Sequence, residues 1–239
     1  MQGYGMDNSY SSLYPLIGGD LPDNSFSEIP YEKGFQLLWY IESLVNDGTT
    51  DYMQDLLRKW ILKYSEKSAT YFDFKNHVEN YVDTNLTAKA AQIKAAIDWK
   101  AWVEKPGNIP VFLDFTTTDL NASKALADDY VARQGQSSPA DYTKFNDYYS
   151  NLKVVFIEEL IAKNDTKTKD IMTRVDGDYK LTQTVDPEIK QRWFPMGIMF
   201  GYTQVMDPAH QFISSMGRMK YLKPIYQALM DSGNRNTAV

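Results

Sequence analysis

The sequence predicts an all-α protein, and three observations carry that expectation. Apolar residues recur at helical spacing in one-sided stripes. The stripes fall in segments of about 12 to 18 residues. Short polar or Gly- and Pro-bearing turns separate those segments. Together they predict helices paired side by side and stacked as an irregular solenoid. No repeat of fixed period is visible, so a regular array is not expected.

The opening stretch from Met1 to Gly19 is rich in Tyr, Ser and Gly and reads as irregular loop. It lacks a basic start and a continuous apolar core, so it does not read as a signal or transit peptide. Gly18-Gly19-Asp20-Leu21-Pro22-Asp23 is turn-rich. Ser27 or Glu28 leads into a helix from about Pro30 to Val45. From Phe35 to Ile41 every residue but Gln36 is apolar or aromatic, which predicts burial on most sides. Asn46-Asp47-Gly48 stops it. The next helix carries Leu56, Leu57, Trp60, Ile61 and Tyr64 as a core-facing stripe, and helices over about Thr70 to Val82 and Thr87 to Trp102 follow. Pro106-Gly107 and Pro110 then break the pattern, and Val111-Phe112-Leu113 reads as extended. Residues 104–118 are therefore expected to connect two helical units, 1–103 and 119–239. The second unit shows stripes at Leu152, Val155, Phe156 and Leu160, and at Leu222, Ile225, Tyr226 and Leu229.

With 239 residues, 43% of them hydrophobic and 23% charged, the chain has the balance of a folded globular protein. Its aromatic share of 14%, led by 17 Tyr, implies large packed surfaces. A net charge of -6 argues against general nucleic-acid binding, because no excess of Lys and Arg is available to neutralise phosphates. No run of about 18 apolar residues reads as a membrane span. The lack of cysteine excludes disulfides, thiolate metal sites and a Cys nucleophile, and fits a reducing compartment.

Few residues offer chemistry. A zinc peptidase needs two helical His flanking a Glu, with a further carboxylate beyond. The chain has two histidines. His77-Val78-Glu79-Asn80-Tyr81 places Tyr where the second His would stand, and His210 follows Asp207-Pro208 near an expected helix start; both read as structural. No Gly-rich phosphate loop and no Gly-x-Ser-x-Gly elbow is present. Tyr31, after Pro30 at a helix start, is either an oxyanion donor or an interfacial Tyr with its hydroxyl satisfied at the surface. Trp99 and Trp102, at i and i+3 in Asp98-Trp99-Lys100-Ala101-Trp102, are expected on one packed helix face. Arg218 and Lys220 are either a carboxylate-binding pair or solvated surface charge.

Four clusters in order resemble the leukotriene A(4) hydrolase and aminopeptidase B branch of the zinc aminopeptidases. Pro30-Tyr31-Glu32-Lys33-Gly34-Phe35 is similar to the segment bearing that family's catalytic tyrosine. Lys63-Tyr64-Ser65-Glu66-Lys67-Ser68, with Phe72-Asp73-Phe74-Lys75, is similar to its Lys- and Ser-bearing stretch. Asp98-Trp99 through Pro106-Gly107 resembles the end of its catalytic domain. Gly217-Arg218-Met219-Lys220, with Pro224 close behind, resembles its C-terminal basic motif.

The resemblance implies the end of a thermolysin-like catalytic domain over 1–103, followed by an armadillo/HEAT-like helical C-terminal domain. It implies that Tyr31 stabilises the tetrahedral intermediate of peptide hydrolysis and that Asp23 shapes the substrate pocket. It implies that Arg218 anchors the substrate carboxylate, with Lys220 beside it. Phe26 stands where the vertebrate hydrolase has a tyrosine in its lipid pocket; this departure counts against leukotriene chemistry and leaves peptide chemistry untouched. The family's H-E-x-x-H zinc motif and its β-rich N-terminal domain have no counterpart here. No cofactor is expected within this chain, and zinc is implied only for a complete enzyme. The expected partners are the zinc-bearing remainder of a cytoplasmic peptidase and a peptide substrate. The alternative is a catalytically inactive helical scaffold within a larger assembly. Either way, apolar surface left for the missing parts predicts that the chain alone self-associates or is poorly stable.

Overall fold

Helices account for most of the chain in the structure, a computed structural model that describes residues 5–163 and 168–234. No strand occurs among the described residues. Two compact units emerge, one over Met1–Asp114 and one over Phe115–Val239.

The first unit holds α1 (Ile29–Val45), α2 (Tyr52–Tyr64), α3 (Tyr71–Asn85) and α4 (Ala90–Ala96). Each packs on the next in sequence. Side-chain caps set their starts. Asp51 accepts from the Gln54 N–H ahead of α2, and Thr70 with Asp73 forms a reciprocal capping box ahead of α3. The core gathers Leu37, Ile41, Val45, Leu56, Val78, Val82 and Trp102. Residues 5–20 contain a short 3-10 turn at Ser9–Ser11 and are otherwise irregular. Ser11 and Ser12 are nevertheless buried.

Three sequence expectations change in this unit. The helix α1 buries one line of residues rather than most of its sides. Its buried residues Ile29, Lys33, Leu37, Ile41 and Val45 recur every four positions, while Phe35, Leu38 and Trp39 stay exposed. On α2, Ile61 is exposed at 66% rather than core-facing, because the curve of the core reaches only Met53 and Leu56 fully. The helix expected over Thr87 to Trp102 ends at Ala96. It restarts as a π-type turn over Lys100–Glu104, with the Asp98 carboxylate accepting from the Ala101 N–H at 2.9 Å. Trp99 and Trp102 are therefore buried from a broken segment, not from one α-helical face. Beyond it, Val111 and Leu113 pack toward the core while Phe112 points out at 87% exposure, the alternation of extended chain.

The second unit holds α5 (Thr118–Ala132), α6 (Ser150–Ala162), α7 (Thr168–Tyr179), α8 (Pro187–Met199), α9 (Met206–Ser215) and α10 (Met219–Asp231). Thr117 caps α5, and Asp186, followed by Pro187, caps α8. Within the layers the packing skips alternate helices, while α5 also packs closely on α6 across them. In one layer α6, α8 and α10 lie against one another in turn; α5 and α7 touch in the other, and α9 borders α8 and α10. That two-layer order is the irregular solenoid the stripes predict. Tyr130, Phe156, Met172, Val175, Trp193, Phe194 and Ile225 form its fully buried centre. On α10 the buried line is Tyr221, Ile225, Ala228 and Leu229, while Tyr226 turns outward. Gly135, at φ +76°, follows α5; a Cβ there would stand 2.4 Å from the Asp170 carbonyl oxygen, so only glycine lets that turn approach α7.

Candidate functional site

Tyr31 lies in the first turn of α1, where Pro30 pre-sets the helical φ. Its side chain is 67% exposed, and its hydroxyl has no internal hydrogen-bond partner among the described residues. Two residues on, Lys33 is 1% exposed. Its ammonium donates to the carbonyls of Lys105 at 2.9 Å, Gly107 at 3.2 Å and Ser11 at 3.5 Å. The Gly107 N–H in turn donates to Ser11 Oγ at 2.7 Å. This buried knot fastens the entry loop and the 105–107 turn to the start of α1. Burial, with no paired carboxylate, pushes the Lys33 ammonium pKa down.

Asp23 stands in the 3-10 turn Pro22–Ser25, exposed, with no side-chain partner among the described residues. The carboxylate that organises this loop is its neighbour Asp20. It accepts from the Tyr10 hydroxyl at 2.6 Å, the Asn24 amide at 2.9 Å and the Leu21 N–H at 3.1 Å. Those bonds, Tyr10 foremost, hold its pKa below the ordinary value.

On the second unit, Arg218 is the N-cap residue of α10 and stacks on the Tyr221 ring at 5.6 Å. No carboxylate pairs with it among the described residues. Lys220 stands on the same ring at 5.5 Å, but its ammonium binds Glu188 Oε1 at 2.7 Å. Glu188 also receives the Tyr221 hydroxyl at 2.9 Å and the Gln191 amide at 2.6 Å. Burial opposes its ionisation, yet the bonds from Lys220 and Tyr221 prevail and keep its pKa below the usual carboxylate range. Arg218 and Lys220 thus share one aromatic support while only Arg218 keeps its charge open. Sequence reasoning passed over Glu188, although Asp186-Pro187-Glu188 is a helix-start signature that places a carboxylate in the first turn of α8.

The histidines do structural work or none. His77 places Nε2 at 3.0 Å from the Leu56 carbonyl and its ring against Trp60, bracing α3 to α2. His210 is exposed on α9. Among the described residues no three His, Asp or Glu side chains converge to hold a metal ion. No described helix is long and apolar enough to cross a membrane.

An all-helical chain with an exposed phenol at one helix start and an open arginine at another has recognisable relatives. Residues 148–239 match the family described as leukotriene A4 hydrolase, C-terminal. Over 99% of its length the chain is 30% identical to leucine aminopeptidase 2 of Ajellomyces capsulatus, and it spans 37% of that protein. It is 28% identical to leucine aminopeptidase 2 of Aspergillus clavatus, spanning 38% of it. Native yeast LTA4 hydrolase has the same fold over 99% of this chain and 40% of its own, at a TM-score of 0.84 and 23% identity. The chain is thus similar to a C-terminal portion of leukotriene A4 hydrolase and leucine aminopeptidase proteins, and it spans well under half the length of the curated relatives it matches.

Proposed function

We propose that the chain supplies one wall of the cleft of a zinc aminopeptidase whose metal-bearing wall belongs to polypeptide outside it. The observation that carries this reading is Tyr31: an exposed phenol without an internal acceptor, on a helix start pinned by Pro30 and the buried Lys33. Such a phenol donates to the oxyanion that develops when the scissile carbonyl becomes tetrahedral. The bond strengthens as negative charge appears, so it lowers the barrier more than it tightens substrate binding. Arg218 takes the substrate carboxylate through its guanidinium fork. Lys220, held by Glu188, adds field rather than a direct bond. Asp23 borders the substrate pocket. The cysteine-free composition fits a reducing, cytoplasmic setting.

The test joins this chain by co-expression to the part of Ajellomyces capsulatus leucine aminopeptidase 2 outside the matched segment. Hydrolysis of alanyl and arginyl anilides is then followed with zinc present. Tyr31→Phe is expected to lower kcat roughly 10²- to 10³-fold with little change in KM. The chain's stability should shift by no more than about 0.5 kcal/mol, because the side chain is exposed. A Tyr31→Phe complex as active as the parent sinks the reading.

A further inference from the structure

We infer that the cleft between α8, α9 and the turn ahead of α8 binds a small organic carboxylate with an apolar body. Lys190 takes the charge, and Phe194 and Phe212 take the body.

The second unit builds this cleft from one face of each helix. On α8, Lys190 and Phe194 stand at i and i+4. On α9, Gln211, Phe212 and Ser215 share one face. The 3-10 turn Leu181–Gln183, with Thr184 after it, adds a third wall. The Trp193 indole fastens that turn by donating to Thr182 Oγ1 at 3.0 Å. The cleft holds about 470 Å³, within the range of small-molecule sites. Its apolar part is fixed in place: Phe194 and Phe212 are buried, and their rings meet edge-on at 6.1 Å.

The polar groups select the ligand. Lys190 is half-buried, its ammonium stands 4.9 Å from the centre of the Phe212 ring, and no carboxylate pairs with it among the described residues. A ring face supports a cation while leaving N–H groups free to donate. Thr184 Oγ1 accepts from the Asp186 N–H at 3.2 Å, so its O–H remains to donate. The amides of Gln183 and Gln211 are exposed, with no internal partner among the described residues. No Asp or Glu lines the cleft. A cation among neutral donors attracts an anion, and a carboxylate accepts from both the ammonium and a hydroxyl. A free amino acid is disfavoured, because nothing in the lining pairs its ammonium.

The Phe212 ring lies 6.1 Å from that of Tyr221, on which Arg218 stacks, so binding has to be assigned to one cation or the other. The full chain is titrated with 4-phenylbutyrate, the neutral 4-phenylbutanamide and phenylalanine, followed by saturation-transfer NMR of the ligand. Saturable binding of 4-phenylbutyrate is expected, with the other two weaker by at least about tenfold. Lys190→Met should weaken it by a similar factor, and Lys190→Arg should restore it to within about threefold. Gln211→Trp keeps the lysine and fills the cleft from an exposed position, so it should also abolish binding and stands in should Lys190→Met fold poorly. Absence of saturable binding overturns the inference, as does equal affinity for the amide. Loss in Arg218→Met with none in Lys190→Met also overturns it, by placing the carboxylate on Arg218.

Discussion

Arg218 and Lys220 are two residues apart and share the Tyr221 ring, yet their charges are used differently. Lys220 is spent on Glu188, whose carboxylate also takes Tyr221 and Gln191. The folded-state pKa of Glu188 lies below its ordinary 4.5, so the stability it contributes is present above pH 4.5 and is lost as the pH falls through the folded value. Replacing it in Glu188→Gln should cost about 1 kcal/mol near neutrality, a modest figure because the group is partly hydrated. Urea unfolding of parent and variant at several pH values checks this: the gap should close below pH 4.5, and a gap independent of pH would count against the assignment. At this scale the sequence was partly legible. Motif order names Tyr31, Asp23, Arg218 and Lys220 only as candidates, and the internal partner of Lys220 lies 32 residues away, where no local pattern announces it. Lys33 did leave a trace, since it falls on the buried line Ile29, Lys33, Leu37, Ile41, Val45.

Helices were legible where a one-sided stripe met a cap, as at Asp51 and Thr70, whereas the start of α8 at Asp186 was passed over. They were misjudged where tertiary packing overrode propensity. The run Ala90 to Trp102 is full of helix formers, yet the Asp98 side chain captures the Ala101 N–H and starts a new turn. That break lets Trp102 stack on Tyr40 at 5.6 Å, a contact set by α1 rather than by local sequence. The helix α8 carries a tighter constraint. A Cβ on Gly197 would lie 2.6 and 2.8 Å from the two methyl carbons of Val205. Gly197→Ala should therefore destabilise by about 1–2 kcal/mol, the overpacking outweighing the gain in helix propensity. Denaturant titration measures the cost. In a Val205→Ala background it should largely disappear, and persistence there would point away from the methyl clash.

The whole molecule has two cores, and each is built from residues of its own unit. That organisation predicts that residues 115–239, expressed alone, unfold cooperatively in urea and keep a near-ultraviolet circular dichroism signal from Trp193 and its neighbours. A molten, gradual transition would show that the unit is not self-sufficient. Class and layering were legible because periodicity reports which faces meet something.

The knot around Lys33 has a consequence in reagent chemistry. An amine that is 1% exposed and holds three carbonyl oxygens offers no lone pair to an acylating agent. Acetic anhydride should modify the surface lysines first and this one last. The delay records how often the Ser9–Ser12 segment lifts away from α1, so a single slow amine becomes a clock for local opening.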